Sequence, residues 1–118
     1  MAYVDGYVLA VPREKKSEYV QLAELSAEVF IDHGALSVVE NWADDVPEGK
    51  ITSLPMAVKC EEDEDVVFSW ITWPSKEARD TGNKAAMADP RFQEWDMSNM
   101  PFDGKRMIFG GFSTIVAR

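Results

Sequence analysis

Two carboxylates stand among aromatic residues in this chain, and they are the first candidates for chemistry. Asp5 lies in YVDGYVLAVP (residues 3–12), flanked at two-residue spacing by the phenols Tyr3 and Tyr7. Glu40 lies in ALSVVENWA (residues 35–43), two residues from Val38 and two from Trp42. Burial among apolar groups disfavours the charged carboxylate and raises its pKa, which suits it to proton transfer. Two readings stand for this pair. Either they line a small-molecule pocket, or they make structural ion pairs with Arg or Lys across a subunit seam. His33, the single histidine, is a third catalytic candidate. It is read either as a general base at a pocket mouth or as a partly buried side chain capping a helix.

A ligand-binding set can be drawn around these acids. Tyr7 and Trp42 serve as walls, and Trp70 or Ser69 as the floor, depending on register. Lys59 and Arg79 supply positive charge near the rim. An aromatic cavity with a few convergent polar groups is the usual form of a small-molecule site. Other chemistries find little support. No His and Cys cluster has zinc spacing, so no metal and no cofactor is expected. Cys60 precedes the acidic run Glu61–Asp65, which disfavours a thiolate, so it reads as a structural thiol. The run EEDED lacks the alternating ligands and glycine of a calcium loop and reads as a solvated hairpin tip. Lys105 and Arg106 form a small basic spot, either an anion site or a solvated strand entry. Gly110-Gly111 is no phosphate loop, since no helix starts there.

The elements that must position these groups follow from periodicity. VVFSWITWPS (66–75) is a central strand that hands over at Pro74-Ser75 to a helix over 76–88. Residues 3–12 alternate, with Tyr3, Asp5, Tyr7, Leu9 and Val11 on one face and the small set Val4, Gly6, Val8 and Ala10 on the other. The small face is expected to admit a helix. Residues 17–33 form that helix, with Gly34 as its C′ residue. Residues 35–43 form a second strand, 44–55 a loop, 56–60 (MAVKC) a short strand, and 106–117 the last strand, with a bulge or close backbone approach at Gly110-Gly111. Residues 91–104, with Phe92, Trp95, Met97, Met100 and Phe102, read as a packed cover over the core.

The order is a split β-α-β repeat. It predicts an α+β, ferredoxin-like fold with an antiparallel sheet and two main helices on one face, as one domain spanning 1–118. Two helices cannot shelter every apolar strand residue here. A second copy is therefore expected to cover the bare face, giving a homodimer whose paired sheets enclose a barrel-like cavity. In that order the strand 66–73 lies between 3–12 and 35–43. The net charge of −9 disfavours nucleic acid and anionic membranes as partners. One cysteine permits no intrachain disulfide. The first residues carry no basic, signal-like region, so a cytoplasmic protein is expected.

The segments YVDGYVLAVP, HGALSVVENWADDVPEGKIT, AVKCEEDEDVVFSWITWPSKEARDTGNK, DPR and MPFDGKRMIFGGF resemble the YbaA-like family of bacterial domains of unknown function. The resemblance covers almost the whole chain. That family is similar in fold to the dimeric α+β barrel superfamily, which implies the same dimer but no established activity, cofactor or catalytic residue. The superfamily includes cofactor-independent monooxygenases, haem-degrading enzymes, chlorite dismutases, lactone isomerases and stress-responsive dimers, so fold does not choose among them. Its haem-bound members use a histidine at the pocket, and His33 sits on the wrong element for that. The expectation is a small-molecule-binding homodimer, either a cofactor-independent enzyme or a structural or stress-associated dimer without catalysis.

Overall fold

A computed structural model describes residues 2–95 and 99–118. The centre is a pair of ten-residue strands, β1 (Tyr3–Pro12) and β3 (Glu64–Trp73), antiparallel along their full length. On their flanks lie β2 (Ser37–Trp42), paired with β3, and β4 (Ile108–Ser113), paired with β1. The sheet runs β2-β3-β1-β4 and every pairing is antiparallel. The strand 64–73 thus lies between β1 and β2, where the order of elements places residues 66–73.

Two long helices cover one face. In α1 (Lys16–Asp32), Tyr19 and Leu22, three apart, and Val29 and Phe30, about two turns further on, share one stripe and are buried. Gly34, at φ 108°, ends it in the left-handed conformation. The Gly34 and Ala35 amides donate to the Ile31 and Phe30 carbonyls, the paired bonds of a glycine-terminated helix. In α3 (Lys76–Met87) the Ser75 hydroxyl caps the Ala78 amide at 3.1 Å. Gly82 and Ala86 form its buried seam. A Cβ on Gly82 would overlap the Trp73 ring, and Trp73 itself is fully buried. The missing side chain is what lets helix and sheet meet so closely. A four-residue helix, α4 (Pro90–Gln93), follows, capped by Asp89.

Three expectations are corrected, and one pair of alternatives is decided. The helices cover the large face of β1, not the small one: Leu9 and Val11 pack with Tyr19, while Tyr7 packs beside Phe30 and Ile71. Large side chains bury more apolar area, and that outweighs the closer approach a small face would permit. MAVKC is not a strand. Ser53 accepts from the Met56 amide, and Pro55 sits at the first turn of a short helix, α2 (Leu54–Ala57). A local cap and a preset φ decide so short a segment. Lys59, at φ 51°, then reverses the chain. The last strand ends at Ser113, opposite Tyr3, the first residue of β1, with one further bond from the Thr114 amide to the Ala2 carbonyl at 3.2 Å. Gly110-Gly111 is not a bulge, since Gly6 faces Gly110 and Asp5 faces Gly111 in unbroken register. It is a close approach: a Cβ on Gly111 would overlap the Tyr3 hydroxyl and lie 2.9 Å from Arg79 Nη1.

The opposite sheet face carries Val4, Val8, Phe68, Trp70, Ile108 and Phe112. Phe68 is 47% exposed and Phe112 63%. Among the described residues, this face is covered at one end, where Val58, following α2, packs on Ala10 and Val66. The acidic run is only partly solvated. Glu64 takes a two-pronged ion pair from Arg106 at 2.7 and 2.8 Å, and Asp65 accepts from Arg13 and Trp42. Arg106 is therefore occupied within the chain. Met97 lies outside the described residues.

Candidate functional site

The strand register builds the site. Glu40 lies opposite Ser69, Ser69 opposite Tyr7, and Tyr7 opposite Phe109. One row across the sheet thus presents a carboxyl, a hydroxyl and a phenol to the helix-covered side. From α1 above, the Tyr19 hydroxyl donates to Glu40 Oε1 at 2.6 Å. Between this row and α1 lies a cavity of about 420 Å³. Leu9, Leu22, Phe30, Val38 and Ile71 give it hydrocarbon walls, and Phe92, Trp95, Met100, Phe102 and Met107 close its far side. The segment read as a cover over the core is therefore also one wall of a cavity. Among the described residues, the lining includes no Lys, Arg or His, and neither Tyr7 nor Ser69 has a side-chain hydrogen-bond partner.

A shallower groove of about 320 Å³ lies on the outer side of the Glu40–Tyr19 contact. Trp42 lines it, with its indole N–H donating to Asp65 at 3.0 Å. The Lys16 ammonium lies 5.0 Å from the Trp42 ring centre. Glu40 and Tyr19 belong to both spaces and separate them.

Electrostatics follow from this packing. Burial, then the negative charges of Asp5 and Glu40, push the Tyr7 phenol up to about 12, against the opposing pull of Arg79. Burial, the charge of Glu40 and the bond to it likewise raise the Tyr19 phenol. Burial of its carboxyl group pushes Glu40 above the ordinary glutamate range, and the Tyr19 bond holds that rise back. Glu40 as a whole residue keeps solvent access, through the groove side.

Asp5 has a different role from Glu40. It is 4% exposed, accepts from Arg79 Nη1 at 2.6 Å and from the Trp73 indole at 3.2 Å. Its ion pair is thus made inside one chain, from β1 to α3, and not across a seam. Arg79 also stacks 4.8 Å over the Tyr3 ring and binds Asp80. His33 follows the last turn of α1 and meets Asp89 at 2.8 Å, and Asp89 also binds Arg91. That network ties α1 to α4.

The geometry therefore brings together Tyr7 and Glu40, with Ser69 as floor, while Trp42 meets Glu40 in the neighbouring groove instead. It does not bring the whole predicted set together. Trp70 faces the other side of the sheet, since it is one residue from Ser69 on a strand and pairs with Gly6 and Val39. Lys59 is exposed at the turn after α2, and its carbonyl accepts from Arg106. Asp5 and Arg79 buttress the sheet beside Tyr7. The expectation that these acids face the space between two sheets is corrected: they face the chain's own helices. Tyr19 was not singled out as a site residue. Its signal was a phenol on the apolar stripe of α1, because a buried hydroxyl calls for a partner.

These features define a class: a small α+β protein with a helix-roofed cavity on one sheet face and an apolar, uncovered surface on the other. Among the described residues, no three metal-ligating side chains converge, and no helix is long and apolar enough to cross a membrane. The chain belongs to the family described as "Protein of unknown function (DUF1428)", whose pattern matches residues 2–104. It is 58% identical over 116 residues to the "Uncharacterized protein YbaA" of Escherichia coli (strain K12), a match covering 98% of each chain. The Shigella flexneri protein of the same description matches equally, at 58%. The family match ends before β4.

Proposed function

We propose that this protein is a homodimer joined through its bare sheet faces, and that each copy binds a small hydrophobic molecule in the cavity between its own sheet and α1. The observation that carries this reading is the cavity itself. Its 420 Å³ falls within the range of small-molecule sites, its walls are mostly hydrocarbon, and three of its polar groups, Glu40, Ser69 and Tyr7, fall in one row across the sheet. The strand order and the two helices on one face support a ferredoxin-like plan. Exposed Phe68 and Phe112 lie on the face that a two-fold partner would cover, which supports a dimeric α+β barrel.

The test uses the neutral dye Nile red and light scattering. The protein is expected to bind the dye saturably, and Ala23→Trp, which fills the cavity from α1, is expected to abolish binding without changing mass. Phe112→Glu is expected to give a 13.3 kDa species. A protein that neither binds the dye nor exceeds monomer mass refutes both parts. A second reading, cofactor-independent proton transfer, draws on the raised carboxyl of Glu40 facing the cavity. It requires turnover that Glu40→Gln removes while dye binding persists.

A further inference from the structure

The cavity's charge distribution narrows the kind of molecule it can take. Glu40 is the ionisable acid of its lining, and its only hydrogen bond among the described side chains comes from the neutral Tyr19 hydroxyl, on Oε1. The guanidinium nearest in role, Arg79, is committed to Asp5 and Asp80. Burial is the main cause of the raised Tyr7 phenol; Asp5 and Glu40 add to it and Arg79 opposes them. On the groove side the Lys16 ammonium sits over Trp42, in a groove that Glu40 also lines. Glu24 lines that groove too. An aromatic ring and a carboxylate together are a favourable setting for an ammonium. An anion entering the cavity would meet Glu40 with no cation in the described lining to offset it.

We infer that the ligand is a hydrophobic primary amine, its ammonium against Glu40 and the Tyr7 hydroxyl, and its hydrocarbon among Leu22, Phe30 and Ile71. The inference rests on the reading of the cavity as a ligand site and specifies what enters it. A cavity of about 420 Å³ lies within the range of small-molecule sites and takes a one-ring aryl-alkyl amine with room to spare.

The experiment displaces Nile red with three molecules of matched hydrocarbon: phenylbutylamine, phenylbutanol and phenylbutyrate. The amine is expected to bind roughly tenfold or more tightly than the alcohol, and the carboxylate weakest of all, from the contact of unit charges in a partly solvated site. Glu40→Gln is expected to bring the amine to the level of the alcohol. Glu40→Asp, which keeps the charge but draws it back, is expected to retain a smaller preference, and it stands in if the glutamine variant does not fold. Equal binding of amine and alcohol, or a preference for the carboxylate, overturns the amine while the cavity reading stands. The same holds if Nile red binds and none of the three displaces it. If Nile red itself does not bind, the cavity reading fails and the amine with it.

Discussion

Replacing Gly82 by Ala should destabilise the protein, although the substitution favours a helix. In an exposed helix interior, Gly→Ala gains roughly 0.8–1 kcal/mol. At Gly82 the added methyl would lie 2.5 Å from Trp73 Cη2 and 2.7 Å from the His33 carbonyl oxygen. One neighbour is backbone and the other is a fully buried ring, so neither yields as a flexible tip does. Relief requires α3 to back off the sheet, or Trp73 to shift by roughly 1 Å, and overpacking of this kind costs about 1–3 kcal/mol. Moving Trp73 also stretches its 3.2 Å bond to Asp5, a bond to a charged group worth roughly 1.5–3 kcal/mol. The losses exceed the helical gain, and a net destabilisation of about 2 kcal/mol is expected. Urea unfolding followed by far-ultraviolet circular dichroism should show a midpoint lowered by roughly 1 M. Lys84→Ala, on the exposed side of the same helix, should stay within about 0.5 kcal/mol of the parent. A Gly82→Ala protein as stable as the parent refutes the claim that the Gly82–Trp73 contact sets the distance between α3 and the sheet.

Three further outcomes are expected. Arg79→Ala strands the buried Asp5 carboxylate and should cost about 3 kcal/mol in urea unfolding, whereas Arg79→Ala combined with Asp5→Asn should cost less than the two single changes summed; simple additivity would contradict the pairing. Tyr19→Phe removes the donor that holds the Glu40 pKa back, so carboxyl-carbon NMR should show it rising further. Because the folded state then keeps this proton to higher pH than the unfolded chain does, stability should fall as pH rises through the Glu40 pKa, and more steeply in Tyr19→Phe; an unchanged titration refutes the bond. Ser69→Val places a methyl-bearing side chain at the cavity floor and removes a polar atom, so it should abolish Nile red binding without loss of stability by thermal melting; undiminished dye binding would move the ligand elsewhere.

The sheet was largely legible in the sequence because its strands obey a two-residue period over long apolar runs, and the period fixes which residues share a face. That is why Asp5 and Tyr7, or Glu40 and Trp42, fall on common faces as the alternation requires. The period does not say which face a helix will cover. Only the packing of Tyr19, Val29 and Phe30 decides that, and it reverses the assignment for β1. The same gap put Trp70 in the wrong company: Ser69 and Trp70 are adjacent in sequence, and only the register with Tyr7 and Gly6 tells which of them forms the floor. The α2 helix was hidden for a different reason. Pro55 reads as a breaker when it follows a loop, yet the same residue starts a helix when a serine caps it.

The cavity has a specific origin in the middle of β3. Along its helix-facing side the sequence places Val67, Ser69, Ile71 and Trp73, so the smallest side chain sits at the centre, under α1. A larger aliphatic residue there would carry the core through without a break. Ser69 instead leaves space and brings a hydroxyl to a buried position, 4% exposed. Its neighbours across the sheet, Glu40 and Tyr7, are also polar, and of the three only Glu40 has a described side-chain partner. Tyr7 is half-buried and Glu40 is exposed towards the groove, so water reaches the ends of the row, while Ser69 holds its middle under α1. Apolar residues at these positions would close the space. The row thus sets hydrogen-bonding groups against hydrocarbon walls, and a molecule suited to both would be mostly hydrocarbon with one polar end.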